Sequence, residues 1–164
     1  MPNALDHPKV LTRDALVKAL APLRDAGRTV VFTNGCYDIL HPGHVDLLRR
    51  AGEKGDILVL GLNSDDSVRR LGKGDDRPFN AFAARAFVLA HLESVDFIVE
   101  FDEDTPYELI TAIQPDVLIK GGDWRIDSIV GRDVVEKRGG SVLSLPLLEG
   151  YSTTGLAERM RCAV

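Results

Sequence analysis

Short apolar runs alternate along this chain with longer segments in which apolar residues recur at helical spacing. Runs that are mostly apolar and bounded by Gly, Asp or Pro are typical of strands buried on both faces. These runs are residues 29–33, 56–62, 95–99, 117–120 and 141–145. The segments with helical spacing are residues 44–54, 79–91, 106–113 and 127–137.

Two further helices are predicted towards the ends of the chain. Thr12 is suited to cap a helix that continues to about Ala26 and stops at Gly27. A last helix is expected to begin near Ser152 or Thr153. The alternation predicts an α/β fold, a single-domain doubly wound parallel sheet of about five strands with helices on both faces. In such sheets, ligands bind outside the carboxyl ends of the strands.

Composition and charge narrow the class of ligand. The 164 residues carry a formal net charge of −5, without the basic balance of a nucleic-acid-binding domain. A small anionic ligand needs only a local group of positive charges. The first residues lack a charged segment followed by an apolar run, so we expect no signal peptide, and no apolar stretch reaches the ~20 residues that span a bilayer. Because Cys36 and Cys162 lie far apart at no metal-ligand spacing, we expect a soluble cytoplasmic protein without disulfides.

The first predicted strand leads into the turn His41-Pro42-Gly43-His44. Gly43 and His44 open a helix, whose free N–H groups and partial positive charge suit a phosphate. His41 and His44 lie three positions apart, so both rings can converge on one anion as charge develops in phosphoryl transfer. Gly35, upstream of the turn, lets backbone amides approach such a ligand closely.

Three other interpretations of this segment stay open. Both histidines can be structural members of a turn. A histidine pair can also bind zinc, although no third ligand follows at a suitable spacing. Cys36 can be a nucleophile, although the local spacing implies no base, and a small residue packed under the turn would look the same.

Residues 35–44, Gly-Cys-Tyr-Asp-Ile-Leu-His-Pro-Gly-His, resemble the signature of the cytidylyltransferase-like nucleotidyltransferase superfamily. The resemblance implies a Rossmann-like sheet and direct in-line attack of a phosphate on the α-phosphorus of a nucleoside triphosphate. Pyrophosphate leaves, and no covalent enzyme intermediate forms. His41 and His44 would stabilise the transition state, and Asp38 would face the acceptor. The implied phosphate contacts are Thr33, Asn34, Gly35, Cys36 and Gly43.

The next segment predicts a loop over the phosphates. Residues 71–78 combine two glycines, several charges and a proline, which is typical of a mobile loop. Relatives carry a lysine before an Arg-Pro pair at this place, so the resemblance implies catalytic phosphate contacts from Lys73 and Arg77. Relatives also often carry an arginine on the following helix, and we assign the matching Arg85 to the acceptor. A surface arginine would look the same.

Two strand ends carry further candidate contacts. Asn63 and Asp65 follow the second strand, where they either cap a helix or, by the resemblance, bind hydroxyl groups of the acceptor. Paired glycines after the fourth strand indicate a tight turn or a close approach to a ligand. In relatives this segment borders the nucleotide, and tyrosine is more frequent than tryptophan at the position of Trp124. A lone tryptophan is also commonly buried in the core of a protein. The implied nucleotide contacts are Lys120, Gly121, Asp123 and Trp124.

Hydroxyl side chains mark the start of the last predicted helix at Ser152, Thr153 and Thr154. Such residues usually cap a helix, and together with its free N–H groups they also form an anion site. In the superfamily, Ser-Thr-Thr lies next to the β- and γ-phosphates. The sequence therefore predicts two helix termini that hold one triphosphate.

The resemblance runs from about Val30 to about Arg159, and the sequences and spacing of the motifs are most similar to those of heptose 1-phosphate adenylyltransferases. It implies transfer of AMP from ATP to D-glycero-β-D-manno-heptose 1-phosphate, giving ADP-heptose for lipopolysaccharide cores, with Mg²⁺ arriving on the ATP. A homodimer is common in the family. Many relatives carry a sugar kinase domain upstream. We expect a stand-alone form here, with a helical lead-in over residues 1–27 and a nucleotidyltransferase domain over residues 28–164.

Two other functions stay open. A cytidylyltransferase acting on glycerol 3-phosphate or another phospho-alcohol shares the same motifs, and the motifs do not reveal the preferred base. A nucleotide-binding regulator that has lost catalysis would bind ATP without releasing pyrophosphate. Retention of the two histidines, of Lys73 and of Arg77 argues against the regulator.

Overall fold

One parallel sheet organises the protein, whose computed structural model describes residues 6–72, 74 and 76–162. Its strands are β1 (Val10–Leu11), β2 (Val30–Gly35), β3 (Ile57–Asn63), β4 (Phe97–Phe101), β5 (Val117–Gly121) and β6 (Ser141–Leu145). The strand order is β1-β4-β3-β2-β5-β6. From β2 the chain moves outward through β3 to β4, and it then returns to the other side of β2 with β5. The order therefore reverses beside β2, the place where such sheets bind ligands.

Helices cover both faces of this sheet, which confirms the predicted doubly wound class. They are α1 (Arg13–Asp25), α2 (Pro42–Gly52), α3 (Asp65–Arg70), α4 (Phe82–Ala90), α5 (Tyr107–Ile113), α6 (Arg132–Lys137) and α7 (Thr153–Cys162). In the described part of the chain the sheet has six strands rather than about five. The additional strand, β1, is two residues long, which is too short for an apolar pattern to reveal. None of the helices in the described ranges is both long and apolar enough to cross a membrane.

Two apolar cores lie on opposite faces of the sheet. Along β2, Val31 joins the core beneath α2 and α4, whereas Val30 and Phe32 join the core beneath α1, α5 and α6. Because β2 and β3 are buried on both faces, their sequences are apolar at successive positions. Each buried Leu or Ile side chain contributes about 1.5–3 kcal/mol relative to an exposed one. The two cores therefore fix the strand ends from which the functional loops depart.

Local signals set the boundaries of several helices. Thr12 caps α1, since its hydroxyl accepts a hydrogen bond from Ala15 N at 3.3 Å, and Gly27 follows the helix with a φ of +76°. Ser64 caps the short helix α3 by accepting from Ser67 N at 2.9 Å. The helix predicted over residues 127–137 is shorter, because Gly131, at a φ of +86°, separates a 3-10 turn from α6.

Candidate active site

A stacked pair of histidines stands at the start of α2. The rings of His41 and His44 lie 3.7 Å apart between centroids, with 18° between their planes. The Nδ1 atoms of both rings are buried without a hydrogen-bond partner among the described residues. Pro42 occupies the first turn of the helix, where its missing N–H costs nothing. His41 stands at the cap position but makes no capping hydrogen bond with its side chain.

Burial keeps this pair uncharged at neutral pH. Desolvation, followed by repulsion from His41, lowers the pKa of His44 from its ordinary value of 6.5 to about 4. Desolvation also lowers the pKa of His41. A neutral imidazole keeps one N–H that can donate a hydrogen bond, and its other nitrogen can accept one. A phosphate beside the pair would favour the charged form and raise these pKa values again.

Tyr37 supports the pair from below the turn and was missed in the sequence. Its buried ring meets the ring of His44 edge-on, with 5.0 Å between centroids, and its φ of +47° is left-handed. A Cβ on Gly35 would lie 2.8 Å from the Tyr37 ring. Gly35 is therefore required by the packing of this tyrosine, in addition to any approach by a ligand. The sequence signal that could have indicated this packing is Gly35, two positions before Tyr37 at the end of a predicted strand.

The histidine turn opens onto a cleft of about 520 Å³, a volume typical of small-molecule sites. The cleft is lined by Cys36, Tyr37, Asp38, His44, Val68, Arg77, Thr153 and Thr154. Residues from the starts of α2 and α7 thus line the same space, together with Arg77 from the loop between α3 and α4. His41 reaches this group through its stack on His44. Lys73 lies outside the described residues.

The start of α7 divides its hydroxyl side chains between two tasks. Ser152 caps the helix, since its Oγ accepts a hydrogen bond from Gly155 N at 3.0 Å. Thr153 and Thr154 line the cleft instead. Tyr151, which the sequence did not single out, packs against the histidine turn, because a Cβ on Gly43 would lie 3.3 Å from the Cβ of Tyr151. The beginning of α7 is therefore held against the beginning of α2.

Asp38 presents an unpartnered carboxylate oxygen. The side chain is 3% exposed, and its Oδ1 accepts a hydrogen bond from Asn80 N at 3.0 Å. Asn80 Nδ2 also donates to the backbone carbonyl of Asp38 at 2.6 Å. Oδ2 is buried and has no hydrogen-bond partner in the described part of the chain. Asp38 is thus held in place by Asn80, a supporting residue that the sequence did not reveal, and its Oδ2 keeps unused capacity to accept a hydrogen bond.

The other residues assigned to the acceptor have protein partners. Arg85, with a side chain that is 1% exposed, donates to Asp65 Oδ1 at 2.7 Å, to the Cys36 carbonyl at 2.8 Å and to the Asn80 carbonyl at 2.9 Å. Asn63 is buried and donates to Ser67 Oγ at 2.9 Å. None of Asn63, Asp65 and Arg85 lines the 520 Å³ cleft. These contacts hold the strand ends in place, and a contact of the three residues with the acceptor stays a prediction.

A second cavity, of about 170 Å³, lies at the carboxyl ends of β2 and β5. Lys120 and Trp124 line it, with the lysine Nζ 5.5 Å from the centroid of the indole ring. The indole is 50% exposed and donates from Nε1 to the Gly121 carbonyl at 3.1 Å, so Trp124 is not core. The remaining lining residues are Asn34, Thr105, Pro106, Leu118, Ser128, Ile129 and Val130. This mostly apolar wall, with a few polar groups, suits the flat base of a nucleotide.

The structure also shows the surroundings of three residues whose contacts with the nucleotide stay predictions: Thr33, Gly121 and Asp123. Thr33 is fully buried within β2. Gly121 allows β5 to pack on α2, because a Cβ there would lie 2.4 Å from a methyl carbon of Leu47. Asp123 is exposed and lines neither the cleft nor the second cavity. The side chains at this strand end that face the cavity are therefore Lys120 and Trp124.

Comparisons with known proteins identify the family of the chain. The family model described as cytidylyltransferase-like matches residues 32–159. The Bifunctional protein HldE of Syntrophotalea carbinolica is 51% identical over 159 residues, which cover 96% of this chain and 32% of that protein. The Bifunctional protein HldE of Coxiella burnetii is 49% identical over 154 residues, covering 94% of this chain and 32% of that protein. The chain spans about a third of the length of these curated relatives.

Solved structures share the fold. A lipopolysaccharide core biosynthesis protein from Thermoplasma volcanium superposes with a TM-score of 0.62 at 26% sequence identity, covering 77% of this chain and all of that chain. Pantothenate synthetase from Thermus thermophilus superposes with a TM-score of 0.55 at 15% identity, covering 92% of this chain and 70% of that chain. At that identity the second likeness concerns the fold alone.

Proposed function

The chain belongs to the cytidylyltransferase-like family, and from this premise we propose that it transfers AMP from ATP to D-glycero-β-D-manno-heptose 1-phosphate, giving ADP-heptose and pyrophosphate. One observation carries the transfer reaction: His44 from the start of α2 and Thr153 and Thr154 from the start of α7 line a single cleft. The choice of acceptor is supported by the motifs and by about 50% identity to the HldE proteins over nearly the whole chain.

The proposed reaction is a direct displacement. An oxygen of the acceptor phosphate attacks the α-phosphorus of ATP in line. The bond from that phosphorus to the bridging oxygen breaks, and pyrophosphate leaves with the electron pair. Neutral His44 donates an N–H to a non-bridging oxygen of the α-phosphate, and this hydrogen bond strengthens as negative charge develops. Repulsion from His41 lowers the pKa of His44, so a proton on one ring disfavours a proton on the other.

The start of α7 is proposed to bind the pyrophosphate that leaves. Its free N–H groups, the hydroxyls of Thr153 and Thr154 and the guanidinium of Arg77 can hold the β- and γ-phosphates. Lys73 is proposed to add a positive charge from the same loop. The adenine is proposed to occupy the 170 Å³ cavity against Trp124, since a flat base gains from contact with an aromatic ring.

Mg²⁺ is proposed to enter with ATP. In the described ranges no three His, Cys, Asp or Glu side chains are grouped as metal ligands. The donor set of the cleft therefore fits a metal whose ligands are mainly phosphate oxygens and water, which is how proteins usually bind Mg²⁺. Such an ion neutralises the charge of the triphosphate and of the departing pyrophosphate. A cytoplasmic location and a homodimer are further proposals, tested by cell fractionation and light scattering.

A pyrophosphate-release panel tests the function. ATP, CTP and GTP are each combined with the heptose 1-phosphate, with other sugar 1-phosphates and with glycerol 3-phosphate. We expect the highest kcat/KM for ATP with the heptose 1-phosphate. A preference for CTP with glycerol 3-phosphate would replace the proposal with a cytidylyltransferase. Stabilisation by ATP in thermal melts without pyrophosphate release from any pair would indicate a regulator.

A further inference from the structure

We propose that a side cavity between Asp38 and α4 receives the exocyclic diol of the acceptor sugar and selects a heptose over a hexose. This inference rests on the proposed function and deepens it. The cavity has a volume of about 100 Å³. It is lined by Tyr37, Asp38, Leu40, Asn80, Ala84, Arg85, Val88 and Leu89.

The position of the cavity favours the acceptor over the nucleotide. Tyr37 and Asp38 line both the side cavity and the 520 Å³ cleft, so the two spaces adjoin. Leu89, in the wall of the side cavity, belongs to the core beneath α2 and α4, whereas Leu118 and Ile129 of the 170 Å³ cavity belong to the opposite core. The two smaller cavities thus lie on opposite faces of the sheet. Because the adenine is proposed to occupy the 170 Å³ cavity on one face of the sheet, the side cavity on the other face is open to the acceptor.

The size of the cavity restricts what can enter. Its volume of about 100 Å³ is roughly a fifth of that of the 520 Å³ cleft. The larger cleft therefore suits the bulky pyranose ring, and the side cavity suits its small exocyclic part. The ring and its phosphate then remain in the main cleft, beside His44 and Arg77.

The lining also matches the chemistry of a diol. Leu40, Ala84, Val88 and Leu89 supply an apolar wall for the carbon atoms. Asp38 Oδ2, which is buried and unpartnered, can accept a hydrogen bond from a hydroxyl. The carboxylate cannot turn away easily, because Asn80 N holds its other oxygen at 3.0 Å. A hexose ends one carbon earlier and lacks one hydroxyl, so it fills less of the cavity and makes fewer contacts with it.

Steady-state kinetics on a cavity-filling variant test the inference. Ala84→Leu adds bulk to the cavity from an exposed helical position, where Leu is a good helix former. The measured quantity is the ratio of kcat/KM for the heptose 1-phosphate to kcat/KM for the hexose 1-phosphate of the same ring configuration, with ATP. The wild-type ratio is expected to be about 10 or more, and Ala84→Leu is expected to lower it about 10-fold, mainly through the heptose.

Ala83→Leu is the matched control, since it makes the same change one position earlier on α4 and Ala83 does not line the cavity. Its ratio is expected to stay within about 2-fold of wild type. If Ala84→Leu does not fold, Val88→Phe fills the same cavity from the next turn. A wild-type ratio near one, or a ratio unchanged by the filling variant, overturns the inference and leaves the proposed function standing. Absence of turnover of any sugar 1-phosphate by the wild type overturns both.

Discussion

Arg85 and Asp65 form an ion pair of 2.7 Å in which the arginine side chain is 1% exposed. The same guanidinium donates to the carbonyls of Cys36 and Asn80. Arg85 therefore joins three segments: the loop after β2, the start of α3 after β3, and the approach to α4. Asp38 is held in turn by Asn80, so the position of the proposed acceptor contact depends on this arginine without touching it.

Replacing Arg85 by Met is expected to lower the free energy of unfolding by about 3 kcal/mol, because it leaves Asp65 and two carbonyls without their buried partner. Urea unfolding measures the loss. We also expect kcat to fall, with a smaller effect on KM for ATP, since Asp38 and the turn shift. Arg49→Met is the control, because the Arg49 side chain is 56% exposed and water screens its ion pairs, so its loss is expected to change unfolding little. Equal unfolding midpoints for the two variants would contradict this role.

The histidine stack gives a kinetic prediction. His44→Ala is expected to lower kcat by about 10²-fold or more, because it removes a donor that acts as charge develops on the α-phosphate. His41→Ala is expected to have an effect of similar size through the loss of its stacking partner. Stopped-flow or steady-state release of pyrophosphate measures both, and circular dichroism checks the fold. Near-wild-type turnover in the two variants would remove the pair from the mechanism.

The low pKa of His44 predicts how stability depends on pH. Between about pH 6.5 and pH 4 the unfolded chain binds a proton at this residue while the folded chain does not. The free energy of unfolding is therefore expected to decrease as the pH falls through this window. His44→Gln, which cannot titrate there, is expected to show a shallower decrease. Urea titrations at several pH values measure both slopes, and parallel slopes would argue against a buried neutral His44.

The same imidazole is expected to respond to nucleotide. Proton-detected NMR of the histidine ring should find a pKa of about 4 for His44 in the free protein. Binding of ATP is expected to raise that pKa, because a nearby negative charge favours the imidazolium. Adenosine, which lacks the phosphates, is the control and is expected to leave the pKa unchanged. An identical titration with ATP and with adenosine would place the triphosphate away from the stack.

The loop between α3 and α4 is expected to act on the phosphates. Arg77→Ala and Lys73→Ala are each expected to lower kcat/KM for ATP by about 10-fold or more. Each variant loses a positively charged side chain that would stabilise the negative charge of the leaving pyrophosphate. Binding of adenosine, measured by calorimetry, is expected to change little. Arg69→Ala provides the control, since Arg69 is exposed on α3 and pairs with Asp66. Weaker adenosine binding in the loop variants would assign the loop to the base instead.

The sequence predicted those features that depend on residues close together in the chain. The central strands β2 and β3 begin with continuous apolar runs because both faces of the sheet are covered, and the histidine turn is contiguous in the chain. It failed where partners are distant. Arg85 meets Asp65 and Cys36 across 20 and 49 positions, so no spacing in the sequence indicates that the three belong together. The contact of Tyr151 with the histidine turn likewise exists only once α7 has packed.

The free oxygen of Asp38 has a consequence for how the protein responds to its substrate. An unsatisfied buried acceptor costs about 1–3 kcal/mol in the folded state. A sugar hydroxyl that donates a hydrogen bond to Oδ2 would satisfy this buried acceptor. On the proposed function, binding of the acceptor is therefore coupled to the stability of the folded protein through this one oxygen.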